Sequence, residues 1–269
     1  MNETKVTFHS GKLLLEGARS SLSGEGPFGA VLVCHPHPSF GGSMDNIVIK
    51  SICGALFDRS ILTLRFNFRG VGKSQGRFAH GIGEQEDVEA AIEFLVSEKY
   101  VDRGRIGLAG YSAGAVFGSA VAVNDTRVQA LAAISLPLGM TELDEVRAWP
   151  KPKLFIAGSR DDFAPADDLR DLCRTAQEPK ECEIIEGADH SWQGYEEVLA
   201  GKVSDFFSRH LQSSLLATVR QSRPAPFRGS PKNRHRGYEP AAAKSGECSV
   251  LSSLRLTTLG RKPLSPTRV

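Results

Sequence analysis

Residues 110–114 read Gly-Tyr-Ser-Ala-Gly, a G-x-S-x-G pattern between an apolar stretch (RIGLAG, 105–110) and a run of small residues at 113–123. A serine at the tip of a sharp strand-to-helix turn sits in strained backbone. Glycines two residues to either side keep neighbouring side chains out of its way. The helix that starts after Ser112 aims free N–H groups and a positive dipole end at any oxyanion formed there. The chemistry such a serine suits is acyl transfer. A glycine-rich turn that merely packs a helix close to a sheet has the same composition, so the pattern needs partners.

A serine hydroxyl is a poor nucleophile at neutral pH and needs a general base that is itself oriented by an acid. There are seven histidines. His190, in GADHSW, follows the last apolar strand and so stands at the same sheet edge as Ser112. His9 falls in an opening hairpin, His210 ends the last helix and His235 lies in the basic C-terminal segment. The acid is expected after a strand between Ser112 and His190. There GSRDDFAP (158–165) offers both Asp161 and Asp162. The order Ser, Asp, His differs from the chymotrypsin and subtilisin orders.

A developing oxyanion needs two donors. The backbone N–H of Ala113 is one. The second is expected from the loop after residues 30–35, which reads His35-Pro36-His37-Pro38. Proline has no N–H to give, which leaves the backbone of His37. A metal pair at His35 and His37 is the competing reading, but no third ligand is identifiable, so neither metal nor cofactor is expected. Gly70-Val71-Gly72-Lys73-Ser74 imitates the end of a phosphate loop, yet Asn67 stands where that motif needs glycine. Arg69 there is read as a brace between loops or a plain surface arginine. Glu84, Glu86 and Asp87 are read as first-turn residues complementing a helix dipole.

The elements that must position these residues are legible as alternation. Residues 5–10 and 13–19 form an opening hairpin. Strands are expected at 30–35, 61–66, 105–110, 128–136, 154–158 and 183–185. Helices are expected at 45–58, 84–97, 113–123, 142–148, 166–175 and 195–210. Continuous apolar runs such as AVLVCH (30–35) and ILTLRF (61–66) mark strands buried on both faces. Repeated strand–helix units give an α/β fold with a mostly parallel twisted sheet and helices on both faces. In such sheets the chemistry sits beyond the carboxyl ends of the strands.

Composition sets the frame. The chain has 269 residues, 41% hydrophobic and 24% charged, with 33 Lys/Arg against 31 Asp/Glu. Residues 213–269 hold eleven of the basic and two of the acidic residues, leaving 22 and 29 for residues 1–212. The expected division is therefore a catalytic domain at 1–212 and a basic Ser/Pro/Arg-rich tail at 213–269. The tail is poor in apolar pattern and is expected to be disordered. It lacks aromatic interleaving and any recognisable nucleic-acid module, so no specific nucleic-acid partner is expected. No run of about 18 apolar residues suggests a membrane span. Five scattered cysteines without a CxxC pair argue against a disulfide framework or thiolate metal site and for a reducing, cytoplasmic setting.

Together these segments resemble the α/β-hydrolase superfamily over about residues 3–211. Within it they are similar to small uncharacterised serine hydrolases and dienelactone-hydrolase-like proteins. The resemblance rests on HPHPSFGGSMDN (35–46), RFNFRGVGKSQG (65–76), GEQEDVEAAIEFL (83–95), GYSAG (110–114), GSRDDFAP (158–165) and GADHSW (187–192). It implies an α/β-hydrolase fold and a Ser112–His190–Asp161 triad. Asp161 takes the acid position three residues after Gly158, with Asp162 as the fallback. Many members carry His-Gly-x where this chain has His35-Pro36-His37. Dienelactone hydrolases proper use cysteine where Ser112 stands, so their substrate does not transfer. The 17 residues between Leu136 and Leu154 leave no room for a large cap domain. An open site shaped by Met140, Leu143 and Trp192 is expected, acting on a small-molecule acyl substrate. Esterase, thioesterase, peptidase and acyltransferase share this triad, and an idle fold used for binding is the remaining alternative. An oligomer is possible through an edge strand or the last helix.

Overall fold

The computed structural model describes residues 1–24, 26–140 and 143–211; the side chain of Met140 and the whole of the expected tail lie outside the described residues. Eight strands form one sheet in the order β1-β2-β4-β3-β5-β6-β7-β8. The hairpin β1 (Glu3–Ser10) and β2 (Leu13–Ser20) is antiparallel, and β2 runs antiparallel to β4 (Leu62–Phe66). From β4 onward every neighbour is parallel: β3 (Phe28–Cys34), β5 (Val101–Tyr111), β6 (Val128–Ile134), β7 (Lys153–Arg160) and β8 (Lys180–Asp189).

The apolar runs are continuous because each central strand feeds two cores. In β3, Ala30, Leu32 and Cys34 face one layer while Val31 and Val33 face the other. In β7, Phe155 and Ala157 alternate in the same way with Leu154 and Ile156. The first layer is covered by α2 (Ile82–Ser97), α3 (Ala113–Ala122), α4 (Asp144–Ala148) and α5 (Ala166–Thr175). The second is covered by α1 (Ile47–Asp58) and α6 (Glu196–Leu211). Parallel pairing obliges every crossover to return through a helix, so all loops after β3 to β8 gather at one edge. Among the described residues between β6 and β7 stand only the short 3-10 turn Leu138–Met140 and α4, and the fold is that of an α/β hydrolase without a lid.

Several boundaries differ from the expected ones for local reasons. Helix α1 starts at Ile47 because Asn46 caps it, its Oδ1 accepting the Val48 N–H at 2.9 Å. Strand β8 is far longer than residues 183–185. It is the sheet's edge, and its alternation is blurred by half-exposed polar residues. The expectation of no disulfide fails at one pair: Cys173 of α5 is bridged to Cys182 of β8, with Cα atoms 6.3 Å apart. Their spacing in sequence gives no motif, and only the packing of α5 on β8 brings them together. Cys34 and Cys53 are buried free thiols.

Candidate active site

Ser112 follows β5 directly, and α3 starts at the next residue. Its backbone has φ 56° and ψ −120°, a conformation that L residues rarely adopt. The turn is held from both sides: the Ser112 N–H donates to the Ile134 carbonyl at 2.9 Å, and the Ser112 carbonyl accepts the Ala115 N–H at 2.9 Å. The flanking glycines are needed for contact. A Cβ on Gly110 would collide with the Gly114 carbonyl oxygen, and one on Gly114 would stand 2.5 Å from both the Cys34 and His35 carbonyl oxygens. The turn is therefore wedged against the end of β3, which carries the His35–Pro38 loop.

The loop after β8 brings His190 to this turn. Its Nε2 lies 2.9 Å from Ser112 Oγ, and its Nδ1 lies 2.8 Å from Asp161 Oδ1. Asp161 Oδ1 also accepts the N–H groups of Phe163 at 3.0 Å and Ala164 at 3.1 Å. Burial alone would raise the Asp161 pKa. The His190 hydrogen bond and charge, the nearby Ser135 hydroxyl and the Ala164 N–H outweigh it and hold the carboxyl below the usual carboxylate value. Asp162 is exposed, so of the two aspartates Asp161 is the one brought to His190.

On the other side of the turn, His35 is fully buried. Its Nε2 accepts the Phe68 N–H at 3.1 Å, so Nδ1 carries the proton and donates to the Pro36 carbonyl at 2.7 Å. Burial pushes its pKa down to about 4, with the neighbouring His37 adding to the effect and the Pro36 carbonyl opposing it. Both ring nitrogens are occupied, so His35 is a structural histidine rather than half of a metal pair. Among the described residues no group of three metal-ligating side chains gathers. His37 caps the 3-10 turn Pro38–Phe40: its carbonyl accepts the Phe40 and Gly42 N–H groups at 3.1 Å each, and its Nδ1 accepts the Ser39 N–H at 3.1 Å.

Other expectations change. Trp192 does not line an open site. It is fully buried in the second core, with its indole N–H donating to Ser135 Oγ at 2.9 Å. Leu143 packs against the first core. Glu84 caps α2 by accepting the Ala79 and Gly81 N–H groups at 2.9 and 2.7 Å. Glu86 and Asp87 do something else. The fully buried Asp87 carboxylate takes the Arg69 guanidinium at 2.8–3.1 Å and the Arg69 N–H at 2.9 Å, and Glu86 pairs with Arg69 at 3.0 Å. Arg69 is thus neither a link between two loops nor a plain surface arginine: it fastens the loop after β4 to helix α2. The Gly70–Ser74 segment leads to no helix, and Ser74 Oγ instead donates to the Asn67 carbonyl at 2.6 Å.

Two site residues had no signal in the sequence. Tyr111 donates its hydroxyl to the His190 carbonyl at 2.6 Å. Ser135, at the end of β6, is fully buried and has φ 47°. Only the register of β5, β6 and β7 shows that these side chains reach the site.

A catalytic-type serine on a strained strand–helix turn, answered by a histidine and an aspartate from later strands, defines an alpha/beta serine hydrolase fold. The comparisons agree. The profile of the alpha/beta hydrolase domain family matches residues 30–204, and the chain belongs to that family. An uncharacterised protein of Rickettsia prowazekii is 31% identical over 183 residues, covering 65% of this chain and 76% of its own. The structure of an alpha-beta serine hydrolase homologue from Coxiella burnetii superposes with a TM-score of 0.70 at 30% identity, over 76% of this chain and 97% of that one. A Xanthomonas campestris serine hydrolase described as lacking a lid gives a TM-score of 0.70 at 27% identity, over 80% of this chain and 97% of its own.

Proposed function

We propose that this chain hydrolyses acyl esters through a Ser112–His190–Asp161 triad and an acyl-enzyme, most simply as a carboxylesterase. The observation that carries the reading is the unbroken line from Ser112 Oγ to His190 Nε2 (2.9 Å) and from His190 Nδ1 to Asp161 Oδ1 (2.8 Å). Ser112 Oγ attacks the carbonyl carbon while its proton passes to His190 Nε2. Asp161 keeps the ring in the tautomer that has Nδ1–H and stabilises the imidazolium. The backbone N–H groups of Ala113 and His37 receive the oxyanion, each lowering the barrier by on the order of 3 kcal/mol. The leaving alcohol takes the proton from Nε2. Water then repeats the sequence on the acyl-enzyme, releasing the acid and restoring Ser112.

Substrate size and polarity follow from the surroundings. Without a lid, Ser112 keeps 9% of its surface exposed and the His190 side chain 26%. The exposed Phe163 ring stands 4.7 Å from the His190 ring, and Phe40 and Phe78 stand 4.9 and 4.8 Å from the His37 ring. Aromatic faces on both sides favour a small ester, or the exposed end of a larger one, with apolar substituents.

The deciding test is labelling with a fluorophosphonate, beside Ser112→Ala and His190→Ala, followed by turnover of short-chain p-nitrophenyl esters and thioesters. Labelling that disappears in both variants is the expected result. Folded wild-type protein that takes up no probe would remove the hydrolase reading and leave a binding module. The ester-to-thioester rate ratio separates the esterase and thioesterase readings.

A further inference from the structure

Asp161 uses its two oxygens unequally. Oδ1 accepts three hydrogen bonds, from His190, Phe163 and Ala164. Oδ2 is buried, and no donor is aligned on it. A buried carboxylate oxygen left without a donor is costly, so its neighbours matter.

The Ser135 hydroxyl lies beside this carboxylate. Three features fix where its proton can go. Ser135 is fully buried, so water does not compete for the hydroxyl. Its oxygen already accepts the Trp192 indole N–H at 2.9 Å, which leaves the O–H as the free half of the group. Its main chain is pinned by N–H donation to the Ile156 carbonyl at 2.8 Å, in a left-handed conformation (φ 47°) that glycine would adopt at less cost. Trp192 is held in a left-handed conformation as well (φ 59°), two residues after His190. Two strained non-glycine residues therefore meet through one hydrogen bond next to the orphan oxygen. Strain kept at such positions points to a role for the side chain.

We infer that Ser135 is a positioning residue for the triad: anchored by Trp192, its hydroxyl donates to Asp161 Oδ2 and sets how firmly Asp161 holds His190. The Ile134 carbonyl, one residue earlier, receives the Ser112 N–H. The end of β6 thus fixes the main chain of the serine and the side chain of the aspartate together. The other ionisable groups around the pair are Tyr111 from β5 and Asp189 from β8, the latter raising the Tyr111 pKa together with Asp161. The inference rests on the triad reading above.

The test is Ser135→Gly. Glycine accepts φ 47° without strain, which offsets part of the cost of leaving the buried Trp192 indole N–H without its acceptor, so the variant loses the hydroxyl while the fold is kept. Without that donor, more of the carboxylate's charge rests on the His190 Nδ1–H and stabilises the imidazolium. NMR of nitrogen-15-labelled histidine at one fixed, neutral pH should show the His190 Nδ1–H proton resonance moved downfield from wild type, as its bond to Asp161 strengthens. The acid limb of the fluorophosphonate labelling rate should move to higher pH, slowing labelling below that limb by about three- to tenfold. Trp192→Phe, which keeps the hydroxyl but frees it, should move both readouts in the same direction by less. An unmoved or upfield-shifted resonance in folded Ser135→Gly overturns the inference. The resonance is read without any substrate. Failure of wild-type protein to label would therefore remove the hydrolase reading, while the resonance would still decide the role of Ser135.

Discussion

The hydroxyl of Tyr111 donates to the main-chain carbonyl of His190 at 2.6 Å. The residue before the serine thus holds, by its side chain, the backbone of the histidine that reaches that serine. Position and chemistry are coupled through one bond, because the rigid end of β5 supplies both Ser112 and the tether for the otherwise loop-borne His190. The Tyr111 and His190 rings also meet, with centroids 5.8 Å apart.

Tyr111→Phe removes that tether and little else. Burial, reinforced by Asp161 and Asp189, pushes the Tyr111 phenol well above its usual pKa, so it remains a donor throughout the working pH range. A single hydrogen bond of this kind contributes about 1 kcal/mol. The expected outcome is a roughly fivefold fall in kcat and labelling rate, with KM nearly unchanged and the melting temperature lower by about 2–4 °C. A variant that labels at the wild-type rate would show that the His190 loop is held without it.

Gly114→Ala tests the wedge between the serine turn and the loop after β3. The new methyl would stand 2.5 Å from the Cys34 and His35 carbonyl oxygens, closer than backbone atoms tolerate. The loop must shift, and it carries His37. We expect labelling to fall by about two orders of magnitude, the usual scale for losing one oxyanion donor, alongside a measurable loss of stability. Labelling at the wild-type rate would mean that His37 supplies no donor.

The legible part of the site was the part with local spacing. GYSAG, the loop histidine and Asp161 are each marked by residues a few positions away, and the two-sided burial of β3 and β7 turns into continuous apolar runs. What stayed hidden depends on register between distant strands. Ser135 looks like any strand-end serine until β6 lies between β5 and β7. Trp192 read as a rim residue because a polar loop surrounds it in sequence, yet its ring fills the core beneath α6. Asp87 looked like a dipole-complementing acid, since nothing in its neighbourhood announces that Arg69, eighteen residues earlier, folds over it. The cysteine bridge escaped for the same reason.

His35 should give the stability a recognisable pH dependence. Folded, the ring is held neutral with its pKa pushed down to about 4, whereas an unfolded histidine titrates near 6.5. Between those values the unfolded chain binds more protons, so stability is complete above about pH 6.5 and falls as the pH drops toward 4. The contribution at stake is on the order of 3 kcal/mol. The depressed pKa of Asp161 acts lower down: its contribution is present above the ordinary carboxylate value and is lost as the pH falls through the folded one. Urea titrations at pH 7.5 and 5.0 should therefore show a drop for the wild type. His35→Gln, whose amide oxygen can still accept the Phe68 N–H, should begin less stable and lose less across that window. Equal losses in the two proteins would remove His35 as the cause.

Arg69 links the stability of the fold to the site. Phe68, its neighbour, gives its N–H to His35, and Arg69 gives its own N–H and its guanidinium to Asp87 of α2. The loop after β4 is thereby fastened at one point to the helix layer and at the next to the loop that carries His37. Arg69→Ala leaves the Asp87 carboxylate, which has no exposed surface, without its counter-charge. Removing one partner of such a pair costs about 3–5 kcal/mol. Asp87→Asn placed on top of Arg69→Ala removes the stranded charge and should recover part of the loss, so a double-mutant cycle in urea should give a strong coupling energy. Because the freed loop also supports His35, the single variant is expected to lose several-fold in kcat at temperatures where it remains folded. Arg69→Lys should rescue stability only partly, since an ammonium does not reproduce the paired geometry of the guanidinium on Asp87. Additive single and double variants would assign Arg69 and Asp87 to separate, independent roles.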